Sequence, residues 1–285
     1  MAGIAVAIVA VSTSAILIRL SHAPSIVKAF YRVLFMTALV APFGYEYRDS
    51  FRRISRRDLG FALLAGIALA LHFAVWFESL EWTSVAASVT LVQTQPIFVV
   101  IGAWLLLDER LNGRMVGGIL VALSGSALMS GAGLLGEGVV GADPFYGNAL
   151  ALVGAVMAGG YVLAGRSIRQ RLPLVPYVLL VYSAATLVLG AIVISQGQPF
   201  LGYPPREWVL FLAMALGPGI LGHTVINWAL KYVESTVVSV SLLGEPLGSA
   251  LLALVIFVEV PGLATIVGGA IVLTGIFVTS RARRT

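Results

Sequence analysis

A handful of residues in this chain could do chemistry, and each interrupts a continuous apolar run. Arg32 sits in AFYRVLFM, His72 and Trp76 in LALHFAVWFESL, Tyr161 in VMAGGYVLAG and Glu245 in LLGEPLGS. A guanidinium at such a place can grip a carboxylate through its planar fork. It can equally pair with a Glu or reach out to lipid phosphates. An imidazole can hydrogen-bond a ligand or carry a proton near neutral pH. Trp76 lies four residues beyond His72, on the same face of a helix, and an aromatic face suits a flat or cationic ligand. A satisfied structural histidine and ordinary tryptophan packing are the plainer readings. His223 is a second histidine of the same kind. Gln95 and Glu245 each immediately precede a proline, Pro96 and Pro246. Ser241, Glu245 and Ser249 share one face by their i, i+4, i+8 spacing. A carboxylate in such surroundings must be protonated or partnered, which makes Glu245 a candidate proton carrier as well as a candidate structural group. Tyr161, beside Gly159 and Gly160, can line a cavity or fill the core where backbones approach closely.

Other chemistries are absent from the pattern. There is no Cys, so no disulfide, thiolate metal site or Cys nucleophile is expected. The sequence has no His-Glu-x-x-His, no Gly-x-Ser-x-Gly and no phosphate-binding Gly-x4-Gly-Lys-Ser/Thr motif. An enzyme is therefore not expected, nor a cofactor, a metal or direct use of ATP.

The elements that position these residues follow from composition. Hydrophobic residues make up 59% of the 285 and charged residues 11%, where a soluble domain carries roughly 25% charged. So few charges cannot cover a water-soluble surface, and disorder requires the opposite bias. The 31 Gly and 12 Pro fit close-packed, locally broken membrane helices. A span needs about 20 apolar residues. Ten such stretches occur, over 2–20, 26–44, 59–78, 83–107, 114–131, 146–165, 174–195, 207–229, 235–258 and 262–280. They are continuously apolar and do not alternate, which excludes a barrel wall. The first has no positive region before it and no clear cleavage site, and so reads as a membrane helix. With the N-terminus in the cytoplasm, 14 basic residues fall on inner segments and 3 (Arg19, Lys28 and Arg206) on outer ends, which places both termini inside. The net charge of +5 then reports orientation and not nucleic-acid binding.

Shifted by 150 residues, the chain partly matches itself: Pro96 falls on Pro246, Glu109 on Glu259, Gly118 on Gly268 and Trp82 on Tyr232. Five spans per half is an odd number, so the second half must enter the membrane inverted. The expected organisation is a first repeat over 1–131, a periplasmic linker over 132–145 and an inverted repeat over 146–285. Inverted repeats that rock about a midplane site characterise secondary transporters. Each proline removes a donor and frees the carbonyl four residues earlier, Val92 or Leu242. Broken backbone at that depth is tolerated only beside protein or a wet cavity. Glu109 and Glu259 are expected to cap the helix that follows, with a gate as the alternative. Gly117, Gly118, Gly125, Gly268, Gly269 and Gly275 are expected to permit tight helix packing.

FAVWFESLEWTSVAASVTLVQTQPIFVVIGAWLLLDERL and its partner VINWALKYVESTVVSVSLLGEPLGSALLALVIFVE share an aromatic near the helix turn, a run of small residues, a Pro and then a Glu. Together with the Arg of AFYRVLFM, they resemble the EamA-type members of the drug/metabolite transporter superfamily over nearly the whole chain. The resemblance implies an all-α integral membrane protein of ten helices, an inverted five-plus-five repeat and export of small metabolites from a bacterial cytoplasm through the inner membrane. It is nearest to the aromatic amino-acid exporters, with export of drugs or cationic xenobiotics, proton-coupled or not, as the alternative. Its expected partners are a small-molecule substrate and the lipid bilayer, with no nucleic acid, and a monomer suffices. The substrate-binding candidates are His72, Trp76, Gln95, Tyr161, Glu245 and Arg32. One departure stands out: Val260 and Pro261 follow Glu259 where a basic residue is usual, so the two Glu positions are not expected to act symmetrically.

Overall fold

The computed structural model describes residues 2–107, 112–130, 141–169, 171–225 and 244–282. Among these residues the structure is helical, with no strand. The elements are α1 (Ala2–Ser12), α2 (Ser14–Leu20), α3 (Ser25–Val40), a 3-10 segment (Ala41–Tyr47), α4 (Arg48–Arg52), α5 (Arg56–Trp82), α6 (Val85–Val92), α7 (Gln95–Leu107), α8 (Gly113–Ser130), α9 (Pro144–Arg169), α10 (Leu174–Ser195), α11 (Pro205–Met214), a π-helical stretch (Ala215–Thr224), α12 (Gly244–Phe257) and α13 (Leu263–Ala282). The expectations for Glu109, Tyr232, Ser241 and the Leu242 carbonyl fall outside the described residues, as does the side chain of His223.

Four stretches, Ser25–Arg52, Arg56–Trp82, Pro144–Gly165 and Leu174–Ser195, are long and apolar enough to cross a membrane. Breaks shorten several others. The first expected span divides at Thr13, whose hydroxyl donates to the Ala10 carbonyl at 2.6 Å and competes with the helical ladder. The fourth divides between α6 and α7. Gln93 and Thr94 lie between the two helices, and the Thr94 hydroxyl and amide both bond the Leu91 carbonyl. The break falls where Pro96 leaves the Val92 carbonyl without its helical donor. The eighth span changes to π geometry around Pro218, a proline the sequence reading did not single out. Gly219 and Gly222 in that stretch admit Met36 and Val11 so closely that a Cβ would collide.

Capping residues set the helix starts. Ser55 accepts from the Asp58 amide at 3.0 Å to open α5, and Ser84 accepts from the Ala87 amide at 3.0 Å to open α6. Asn112 closes two ends at once. Its Oδ1 accepts from the Met115 amide at 2.9 Å, and its Nδ2 donates to the last-turn carbonyl of Ala282 at 2.7 Å.

Helix α5 packs along α9 and α10, and α8 packs along α13. The second crossing is made by glycine. A Cβ on Gly118 would lie 2.7 Å from the Thr279 amide nitrogen and 2.8 Å from the Gly275 carbonyl; one on Gly125 would lie 2.6 Å from the Gly268 carbonyl. Gly275 faces Ala122 and Gly118 equally closely. Gly117 faces open space and Gly269 makes only ordinary contact with Thr90, so these two are not part of the tight crossing. The surface is apolar and the polar groups are inside: Leu120, Leu251 and Val255 are exposed, while Arg32 and Lys28 are buried. That inversion is what a lipid-facing bundle requires.

Candidate functional site

Arg32 is fully buried on α3. Its Nη1 donates to Ser14 Oγ at 2.7 Å, and its guanidinium carbon lies 4.6 Å from the centre of the Phe73 ring and 5.6 Å from that of Phe77. Among the described residues its Nε and Nη2 have no hydrogen-bond partner. Glu245, in the first turn of α12, lies within electrostatic range of Arg32, yet no hydrogen bond joins them. Glu245 Oε2 instead accepts from Gln93 Nε2 at 2.5 Å. Gln93 sits in the break between α6 and α7, where its side chain is free of a helical register.

His72 and Trp76 share one face of α5. Their rings stack with centroids 5.7 Å apart and planes 18° from parallel, and His72 Nδ1 lies 2.9 Å from the Gly154 carbonyl on α9. Trp76 is buried, with its indole nitrogen unpartnered, and packs edge-on against Phe77. The rings of Phe73 and Phe77 thus separate Trp76 from Arg32 along a single wall of α5.

Tyr161 is half-buried and hydrogen-bonds with Tyr177, and both interact electrostatically with Tyr182 on α10, which in turn interacts with Arg32. A row of tyrosines therefore leads from the end of the bundle where α9 meets α10 to the Arg32 group.

The structure brings Arg32, Glu245, His72 and Trp76 into one buried neighbourhood, with Tyr161 at its margin. Gln95 is not joined to it. It is half-buried at the start of α7, and among the described residues its side chain makes no hydrogen bond; Gln93, and not Gln95, bonds α12. Gln93, Ser14 and Tyr182 were missed. Gln93 is legible as a second amide in the same apolar run; the repeat register points to its neighbour. Ser249 bonds the Ser12 carbonyl at 3.0 Å, which fastens α12 to α1.

Both ends of the bundle carry bonds between its sequence halves. At one end, Arg19 Nη1 pairs with Glu259 at 3.0 Å, while its other two nitrogens donate to the Leu80 and Thr83 carbonyls. Glu259 Oε1 accepts from the Val85 amide at 2.7 Å. The capping expected of Glu259 on its following helix goes instead to α6, whose free amides lie nearer. Ser21 and the His22 amide both donate to Glu207 at the same end. At the other end, Arg171 Nε and Nη2 donate to Asp58 Oδ1 at 3.0 and 2.6 Å. A cavity of about 780 Å³ opens at the Arg19 end and is lined by Arg19, Lys28, Glu78, Glu81 and Gln196 among others. None of the six sequence-selected binding residues lines it.

The model of the EamA-like transporter family matches residues 1–131 and 145–281. The chain is 25% identical over 237 residues to the pseudopaline exporter CntI of Pseudomonas aeruginosa, spanning 81% of this chain and 78% of that protein. It is 25% identical over 236 residues to a protein of Streptantibioticus cattleyicolor named "Probable terminal-alkyne amino-acid exporter", spanning 81% and 76%. An uncharacterized transporter of Archaeoglobus fulgidus is 23% identical over 254 residues, 88% of this chain and 86% of its own. A solved crystal structure, 24% identical and covering 99% of this chain and 96% of its own, has the same fold with a TM-score of 0.67. Matched by the family model in both halves, this chain belongs to the EamA-like transporter family.

Proposed function

We propose that the chain is a secondary transporter that exports small metabolites, aromatic amino acids foremost, across the bacterial inner membrane by alternating access. Ten spans in two inverted five-helix repeats, with both termini cytoplasmic, give it that mechanism. The observation that carries the reading is the buried polar group at the meeting of the two sequence halves. Arg32, His72, Trp76 and Gln93 come from the first half, and Glu245 and the Gly154 carbonyl from the second. Charged groups at such depth are expensive and mark a substrate path by default. The stacked His72–Trp76 pair and the Phe73 and Phe77 rings, set at an angle to it, supply an aromatic wall for an aromatic side chain. Two relatives bear the names of exporters, one of them of an amino acid. The cross-half bonds at the two ends are the contacts that would open in turn. Tyr161 lies on the approach from the cytoplasmic end, where the basic residues concentrate. Without a nucleotide-binding motif, the driving force is the substrate's own gradient or protons.

Proteoliposomes holding the purified protein, offered labelled tryptophan, phenylalanine, threonine and a cationic dye with and without a pH gradient, test the reading. Saturable aromatic flux supports it. Proton-driven flux of the dye alone would replace it with a drug antiporter.

A further inference from the structure

Among the described residues, the buried side-chain polar atoms without a partner belong to two residues only, Arg32 (Nε and Nη2) and Trp76 (Nε1). All three are donors. An orphaned buried donor costs the full loss of its hydration, so the group that completes this site must bring acceptors. The two free nitrogens of Arg32 are not scattered. Nε and Nη2 form one edge of the guanidinium, on which two N–H bonds point in parallel at the spacing of carboxylate oxygens. The same edge of Arg171 is closed on Asp58, and all three nitrogens of Arg19 are occupied. Arg32, more deeply buried than either, keeps this edge open, and its Nη1 is held by Ser14 on the opposite side.

Charge narrows the ligand further. Arg32 and Glu245 interact electrostatically with no hydrogen bond between them, and Gln93 holds the Glu245 carboxylate in place. With both groups ionised the pair is neutral. A zwitterion leaves it neutral, whereas a simple anion or cation would add an uncompensated charge far from water. We propose that the open edge of Arg32 binds the α-carboxylate of a zwitterionic substrate, with Glu245 facing its ammonium group and the Phe73–Trp76–Phe77 rings bounding its side chain. The site therefore selects free α-amino acids over the amines, esters and acids of the same skeleton. This assignment rests on the transporter reading above and names the residues that read the head group of its amino-acid substrate.

The test is competition in proteoliposomes of the full-length protein. Labelled phenylalanine is the tracer, and phenylalanine, phenethylamine, phenylalanine methyl ester and 3-phenylpropionate are the competitors. Wild-type protein should be inhibited by phenylalanine roughly 10- to 100-fold more strongly than by any of the three analogues, the range expected when one charge-assisted contact is lost: the Arg32 fork for phenethylamine and the ester, the Glu245 contact for 3-phenylpropionate. Arg32→Lys keeps the charge but not the fork, and should erase most of that preference. If that variant does not fold, Glu245→Gln decides: it should erase the preference over 3-phenylpropionate and keep the preference over phenethylamine, and an unchanged preference over both would overturn the assignment. Equal inhibition by phenethylamine and phenylalanine would overturn the carboxylate assignment and leave the transporter standing. No saturable flux of phenylalanine, tryptophan, threonine or the cationic dye would overturn the transporter reading and this inference with it.

Discussion

The Gln93 amide donates to Glu245 Oε2 at 2.5 Å and so joins the break between α6 and α7 to the opposite half of the chain. The bond holds a carboxylate at a fixed place beside Arg32, and a helix continued through residue 93 would not present the amide there. Gln93→Ala should lower transport efficiency roughly tenfold, the value of one hydrogen bond to a charged group. Gln95→Ala, one step closer to the proline but without a hydrogen bond, should change it by less than about twofold on the same scale. Initial rates of substrate flux at matched protein density decide between the two.

The break itself should matter for movement more than for folding. Pro96→Ala restores a donor for the Val92 carbonyl and lets α6 and α7 run on as one helix. The variant should reach the membrane at near wild-type levels and transport poorly. Normal flux through it would remove the break from the mechanism.

Helix α8 crosses α13 through Gly118, so a methyl group there must displace the backbone of Thr279 and Gly275. Gly118→Ala should destabilise the protein by about 1–3 kcal/mol, the usual cost of overpacking. Gly117→Ala meets open space and should be neutral or stabilising by up to about 1 kcal/mol. Thermal unfolding in detergent separates neighbours that a residue-type argument would treat alike.

Glu259 satisfies Arg19 and the Val85 amide together. Glu259→Ala removes the counter-ion of Arg19 and the acceptor of the Val85 amide and should cost about 2–4 kcal/mol of stability. Glu259→Gln, which keeps an acceptor for Val85, should cost less than half of that. If the two substitutions are equivalent in Tm, the acceptor for Val85 contributes nothing and the loss is that of the charge alone.

The sequence made the helical, lipid-facing class legible, because continuous apolar runs admit few alternatives. Pro96 marked its break for the same kind of reason, since a missing donor is a local property. Gly118 and Gly125 were readable as packing sites, yet Gly117 looks identical in sequence, and only the rotation of α8 distinguishes them. Arg32, His72, Trp76 and Glu245 stood out as polar groups in apolar runs. Their mutual arrangement did not, because it depends on which faces α3, α5 and α12 turn inward. Gln93 and the Arg19–Glu259 pair were hidden for a further reason. Both join residues more than 150 positions apart, where neither spacing nor the repeat register carries information.

In the proposed mechanism one buried site opens alternately to the two sides of the membrane. The chain lacks cysteine, so a single reporter thiol needs no other change. Gln95→Cys places it at the start of α7, beside the break and outside the hydrogen-bonded group. In right-side-out and inside-out vesicles, a membrane-impermeant thiol reagent should reach this position from both sides, and saturating substrate should slow the reaction in both. Labelling from one side alone, unchanged by substrate, would contradict alternating access.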